Sequence, residues 1–446
     1  MYTRGLNLLE EKICFLLNLV GKVSLKIDDK KRERLLQFSL MLIGICAYGY
    51  SALPINVHLL VKCVIGVLIM GAIILFSIDR KIKPVQVNLV IVGLWIGISI
   101  FQLIGGVLTS VEYLPMGCVW LVGFPTLFLV WNNRQDYEVL FRGIYRGCLY
   151  SALFCMIWSM IFIPINSSGY AGVFRGINAI STHASAIFAI ILLRILTGKG
   201  RKICVDFIGG CLLISFAFFS HSRSIALIIV GIVIVAVCAS IIVLKISMKE
   251  IFKKSVMLIL GSILMTMLVF QINSFSTRIF QHETSQKSNM ESVVDGYVSR
   301  MEGKDKAGGG IDNYSSGRVG IWKEAISKFK VFGNPSRDHI VTERNGDVKN
   351  NTHNQFIQFF YNNGIIVGVL FCIMAVIAFV DIMKKCFKNE NKQLYIQVML
   401  IHISYIGLCT FESIDLPFLY ELSFIYLMSY VVLFPKNKEK NLKSLY

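Results

Sequence analysis

The sequence predicts an all-α polytopic membrane protein of about 12 transmembrane helices, with one large extracytoplasmic loop before the tenth span. Three observations carry that expectation. Of the 446 residues, 55% are hydrophobic and only 16% charged, against roughly 25% charged in soluble domains. The apolar residues fall in long, nearly charge-free runs: Cys63–Ile78, Val85–Leu108, Ser224–Leu244 and Ile365–Val380. Such runs are apolar on every side, unlike the one-faced helices of a soluble bundle. Lastly, lysine and arginine recur in short clusters between the runs, where a membrane protein keeps its cytoplasmic charges.

Taken in order, the expected spans are Leu35–Leu53, Leu59–Ile78, Val85–Leu108, Leu114–Trp131, Ile144–Ile165 and Ala179–Leu196. Ile203–Phe219, Arg223–Leu244, Ser255–Ile272, Gln355–Val380, Leu394–Phe411 and Leu416–Phe434 complete the twelve. Asn7–Val23 is short and interrupted by Asn18 and Lys22, so it reads as an interfacial helix. Ile13–Val20 makes no convincing cleavable leader. The resulting divisions are 1–34 (cytoplasmic or interfacial), 35–273 (nine spans), 274–354 (loop), 355–434 (three spans) and 435–446 (cytoplasmic tail).

The basic residues set the orientation. With the N-terminus inside, the inner connections hold Arg80-Lys81-Ile82-Lys83, Arg134 with Arg142, Lys199 with Arg201-Lys202, Lys245 through Lys254, Lys384-Lys385 with Lys388, and the tail. The short outer connections hold only Arg175 and Arg223. This is the positive-inside pattern, and it puts both termini in the cytoplasm. The loop Ser274–Thr352 falls outside, where long translocated loops escape the charge rule. Within it, Gly303–Gly317 looks flexible, and Arg318–Lys330 reads as a helix capped by Ser315 or Ser316. Ile321, Trp322, Ala325, Ile326 and Phe329 form its apolar face.

Composition also excludes some functions. The formal net charge is +18, but it is spread over inter-span clusters rather than a basic face, so no nucleic-acid partner is expected. The 12 cysteines include no CxxC pair, and none lies between Ser274 and His353. They read as small core residues rather than metal ligands or disulfides.

The candidate chemistry sits on the outer face. Arg223 opens a helix, where free N–H groups and the guanidinium together suit a phosphate. Arg175 lies in the connection Tyr170–Asn178, and Arg318 lies beside Trp322 on the loop helix. His353-Asn354 stands where the loop re-enters the membrane. Taken singly, each arginine could snorkel to headgroups and the histidine could be a cap. Together they suggest a site for an anionic, lipid-linked substrate. Glu412 and Asp415 lie on the last outer turn and Glu421 deeper, where pairing with Arg194 or Lys62 is the structural alternative. His183 and His402 read as helix-packing residues.

Tyr170–Asn178, His221–Arg223, Ser316–Arg318 with Trp322, Val331–Asn334 and His353–Phe356 through Asn363–Gly368 occur in an order that resembles the O-antigen ligase and polymerase superfamily, the Wzy-type enzymes of bacterial surface polysaccharide assembly. The resemblance spans roughly Tyr170–Leu370. It implies a GT-C-like fold in the bacterial cytoplasmic membrane and an inverting, metal-independent glycosyltransferase needing no cofactor. The donor would be a polyprenyl-diphosphate-linked oligosaccharide. His353 would assist the attacking hydroxyl, while Arg223, Arg318 and Arg175 would hold the diphosphate. Glu412, Asn178, Trp322 and Asn354 are secondary candidates. The chain departs from the family pattern at Asn362-Asn363, where an acidic residue is common before the glycine, and at Gly333-Asn334-Pro335, where Gly-x-Gly is common. Besides the lipid bilayer, a chain-length regulator and a flippase are candidate partners. A polymerase for capsule, O-antigen or exopolysaccharide is the first reading and a ligase its sister. A transporter or flippase is the alternative from another class.

Overall fold

The computed structural model describes residues 2–23, 27–48, 59–79, 81–109, 111, 114–174, 177–198, 203–280, 289–302, 318–335, 340–342, 348–349, 351–388, 391–414 and 421–435. These residues are almost entirely helical, as a lipid-embedded backbone must be to satisfy its own N–H and C=O groups. The helices are α1 (Tyr2–Val23), α2 (Asp29–Tyr48), α3 (Leu59–Ser77), α4 (Leu89–Thr109), α5 (Leu114–Cys118) and α6 (Phe124–Arg134). They continue with α7 (Tyr137–Phe162), α8 (Ile180–Thr197), α9 (Ile203–Phe219), α10 (Arg223–Ile242), α11 (Met248–Phe280) and α12 (Met290–Met301). Last come α13 (Arg318–Ser327), α14 (Gln355–Asn363), α15 (Ile365–Lys388), α16 (Lys392–Cys409) and α17 (Glu421–Ser429). A two-stranded antiparallel ladder pairs Val341–Thr342 with Val348–Lys349.

Six helical segments among the described residues are long and apolar enough to cross a membrane: Leu89–Thr109, Leu114–Arg134, Tyr137–Phe162, Arg223–Ile242, Met248–Phe280 and Ile365–Lys388. The chain is a multi-pass membrane protein. Every expected span falls at least partly on a helix, and some of these helices are enclosed by their neighbours. All nine residues of α17 are buried, and the described side chains of α8 are nearly all buried too. A helix sheathed by protein need not match the bilayer in length or be uniformly apolar.

Two expected spans are redrawn. Ser255–Ile272 is the middle of the 33-residue α11, about 50 Å long at the helical rise. That exceeds the roughly 30 Å of a bilayer's apolar core, and toward its C-terminal end Asn273 donates to the carbonyls of Met160 (2.8 Å) and Ile163 (2.7 Å). Gln355–Val380 is two helices, because Gly364 breaks the ladder at φ +93°. A Cβ at Gly364 would stand 2.2 Å from the Val331 carbonyl oxygen, and one at Gly333 (φ +89°) 2.2 Å from that of Asn362. The two glycines let Val331–Asn334 and Asn362–Gly364 touch backbone to backbone. Asn334 fastens the contact, with N–H and Nδ2 both donating to Tyr361 O at 3.1 and 3.0 Å. The side chain at this departure from Gly-x-Gly therefore serves as a clasp.

Packing between α2 and α7 also rests on absent side chains. Gly143 and Gly147 lie one turn apart on α7, and a Cβ on either would come within 3 Å of the Cβ of Leu36 or Leu40. Small residues at this spacing allow helices to approach closely where lipid supplies no hydrophobic drive. Helix α1, expected from sequence as interfacial over Asn7–Val23, docks on the bundle by one face. Cys14 and Leu17 pack on Ile78, Ile82 and Val130, while Phe15, Leu16 and Leu19 stay exposed. Asn18, read from sequence as an interruption, exchanges both amide bonds with the Ile82 backbone.

Ion pairs gather at one end of the bundle. Arg134 binds Asp79 and Asp29, and Arg32 lies near both. Glu33 takes Arg146 (2.7 Å) and Arg142 (3.3 Å), and Arg194 binds Asp206 at 3.0 Å. Glu421 therefore does not pair with Arg194. Its partner is His183, which is more than a packing residue.

Candidate functional site

The site is built on the turn before α14. Asn354 caps that helix, its Oδ1 accepting the Ile357 N–H at 3.1 Å. His353 precedes it in the left-handed region at φ +50°, uncommon for a residue with a side chain. The Asn351 side chain holds that turn by accepting the His353 N–H at 2.7 Å. Thr352, fully buried, gives its N–H to Gln358 Oε1 (2.9 Å) and receives Trp322 Nε1–H on its carbonyl (2.7 Å). Trp322 thus ties α13 to the histidine turn. Ile321 and Ala325 of α13, and Phe329 just beyond its end, pack with Ile340 and Tyr361. Ile326, expected on the same face, is 51% exposed. The expected caps Ser315 and Ser316 lie outside the described residues.

Glu412 joins the parts. Its Oε2 lies 3.2 Å from His353 Nδ1 and its Oε1 3.2 Å from Arg318 Nη2. Arg318 also donates through Nη1 to Phe411 O at 2.6 Å. Glu412 and Arg318 are mostly buried, whereas the His353 side chain is 40% exposed. An ionised carboxylate makes Nδ1 the ring's donor and leaves Nε2 as a proton acceptor. Asn354 Nδ2 reaches Thr410 O (3.3 Å), and Gln355 Oε1 accepts the Ile414 N–H. The carboxylate segment is therefore pinned to the histidine segment at several points.

A second group forms where α10 begins. Arg223 is its first residue, and Asn178 Oδ1 accepts the adjacent Ser222 hydroxyl at 2.9 Å. His221 is fully buried at φ +53°, with its ring against Phe218 and, from α12, Tyr297. Gly296 of α12 presses on the Ser167 carbonyl so closely that no Cβ would fit. Burial first, and Arg300 second, lower the His221 pKa from 6.5 to about 4. Arg175 lies outside the described residues.

Both groups belong to one end of the bundle, opposite the ion-pair cluster. His353–Glu412 sets the start of α14 beside the end of α16, His183–Glu421 sets the start of α8 beside that of α17, and Asn178–Ser222 adds the start of α10. Arg318, Trp322, His353, Asn354 and Glu412 thus form one connected cluster. Sequence reasoning missed the His183–Glu421 pair and helix α12. The Asn289 cap, whose Oδ1 takes the Ser292 N–H at 2.8 Å, was the available signal for α12.

Residues 208–372 match the O-antigen ligase family. This bears out the resemblance over the stretch that carries Arg223, Arg318, Trp322, His353 and Asn354. Asn178, Glu412 and the His183–Glu421 pair lie outside it. No curated protein matches the chain.

Proposed function

We propose that this chain is a Wzy-type polysaccharide polymerase of the bacterial cytoplasmic membrane. It would join polyprenyl-diphosphate-linked repeat units at the outer face, with twelve spans in a GT-C-like arrangement and both termini inside. The single observation that carries this reading is Glu412 bridging His353 Nδ1 and Arg318. It supplies a base, the group that orients the base, and a cation for the departing charge, three parts that glycosyl transfer from a diphosphate requires.

In the proposed reaction the acceptor hydroxyl oxygen attacks the anomeric carbon from the face opposite the diphosphate. A new glycosidic C–O bond forms as the bond to the diphosphate oxygen breaks, so configuration inverts. The hydroxyl proton passes to His353 Nε2. Arg318, with Arg223 and Arg175, holds the leaving diphosphate. Glu412 keeps the imidazole in the accepting tautomer. The proposed reaction uses no metal or other cofactor, the arginines neutralising the charge on the departing diphosphate.

The family's description favours a second reading, transfer of a finished glycan to a different acceptor. The two separate by what accumulates when the gene is deleted: single lipid-linked repeats for a polymerase, long lipid-linked chains for a ligase. For the site, Arg223→Ala, Arg318→Ala and His353→Ala are compared with wild type at matched expression by polysaccharide electrophoresis. Short glycans and accumulated lipid-linked units are expected, with His353→Ala down by roughly 10²–10⁴-fold in rate. Normal chain lengths in all three variants would refute the site.

A further inference from the structure

The bundle contains a second imidazole–carboxylate pair, inside it rather than at its end. His183 Nδ1 bonds Glu421 Oε2, and neither side chain is more than 2% exposed. Four helices meet there. Gly44 of α2 faces Glu421 Oε1, to which an added Cβ would come within 2.8 Å, and Cys148 and Ser151 approach from α7. A carboxylate so deeply buried is costly unless paired, and an apolar contact would join α8 to α17 without that cost. A hydrogen bond adds direction: it fixes the register of one helix on the other.

That register reaches both groups of the candidate site. On the α8 side, Phe174 packs edge-on to the His183 ring at 5.2 Å, and Asn178 holds Ser222 beside Arg223. On the α17 side, the Ser423 hydroxyl donates to Ile414 O, and Ile414 N–H donates to Gln355 Oε1. Ile414 stands two residues from Glu412, and Gln355 two from His353. We infer that His183 and Glu421 are a positioning pair, locking α8 to α17 and so fixing the Arg223 group relative to the Glu412–His353 dyad. The inference rests on the function proposed above.

The test uses the purified full-length chain and the lipid-linked glycan that accumulates in cells lacking it. Turnover is normalised to folded protein by size-exclusion chromatography. His183→Ala and Glu421→Ala are each expected to lower turnover about tenfold, and the double variant also about tenfold, because both break one link. Donor KM stays within about twofold, since the arginines are untouched. Glu421→Gln, which can still hydrogen-bond to the imidazole, recovers most of the rate. If the alanine variants do not fold, His183→Phe, which fills the space without an Nδ1–H to offer the carboxylate, carries the same test. Wild-type turnover in the single variants, additive losses in the double, or Glu421→Gln as slow as Glu421→Ala would each overturn the pair's role. Arg318→Ala and His353→Ala run alongside. If they stay active, the function itself is wrong; if they are dead while the pair variants are active, only this inference fails.

Discussion

The two ends of the bundle use the same charged residues in opposite ways. At the ion-pair end, two arginines (Arg32 and Arg134) share two aspartates (Asp29 and Asp79), and Glu33 and Glu138 serve Arg142 and Arg146. Those charges balance locally, and the networks knit helix ends together. At the other end one carboxylate, Glu412, stands between Arg318 and His353, with the histidine 40% exposed. A closed network holds structure, whereas one with an accessible base can take part in chemistry. Under the proposed function, the diphosphate supplies the remaining negative charge.

The sharpest way to break this contrast is Glu412→Gln. Here Arg318 would claim the amide oxygen and leave the NH2 facing His353 Nδ1, which imposes the wrong tautomer, so turnover should fall on the order of 10²-fold or more with the fold intact. Full activity in that variant would remove the distinction between the two ends. Arg134→Ala should do the reverse. Its side chain is only 8% exposed and bridges two carboxylates, both partly solvated, so a stability loss of about 1–2 kcal/mol is expected in thermal unfolding. Turnover per folded molecule should stay near wild type; a catalytic loss there would mean that the ion-pair end is not merely structural.

The smallest effect concerns α12. Because burial and Arg300 hold the His221 pKa near 4, below its ordinary 6.5, the docked helix favours neutral imidazole. Docking is then fully favoured above about pH 6.5 and weakens as pH falls toward 4, since the undocked state binds the proton more readily. Hydrogen exchange of the Met290–Met301 amides, corrected for intrinsic rates, should be faster at pH 5 than at pH 7. His221→Phe should flatten that difference, and an unchanged pH response in the variant would remove His221 as its cause.

Much of this was legible in the residues, for reasons that also explain what was not. Charge-free runs and basic clusters report the surrounding solvent, so helices could be placed wherever lipid is the environment. The same signal marked the protein-sheathed α8 and α17, which overlap the expected spans Ala179–Leu196 and Leu416–Phe434, but it could not show that their neighbours cover them on all sides. The His353–Arg318 grouping was readable from motif order. The Glu412 bridge was only a secondary candidate, since its partners lie 59 and 94 residues away. The His183–Glu421 pair spans 238 residues and left no local pattern to read. Gly364 was visible as a glycine, but its break depends on Val331 approaching from the loop.

That break has a mechanical consequence. Twenty-four residues of α15 extend about 36 Å and must tilt or shift when bilayer thickness changes. The nine residues of α14 turn away from them at Gly364, although Phe356 and Phe359 still pack on Phe371 of α15. They are also tied to Asn334, Thr410 and Ile414, none of which belongs to that crossing helix. The histidine is thereby anchored to the loop and to the end of α16 as well, so the membrane-crossing helix is one of several supports that hold it.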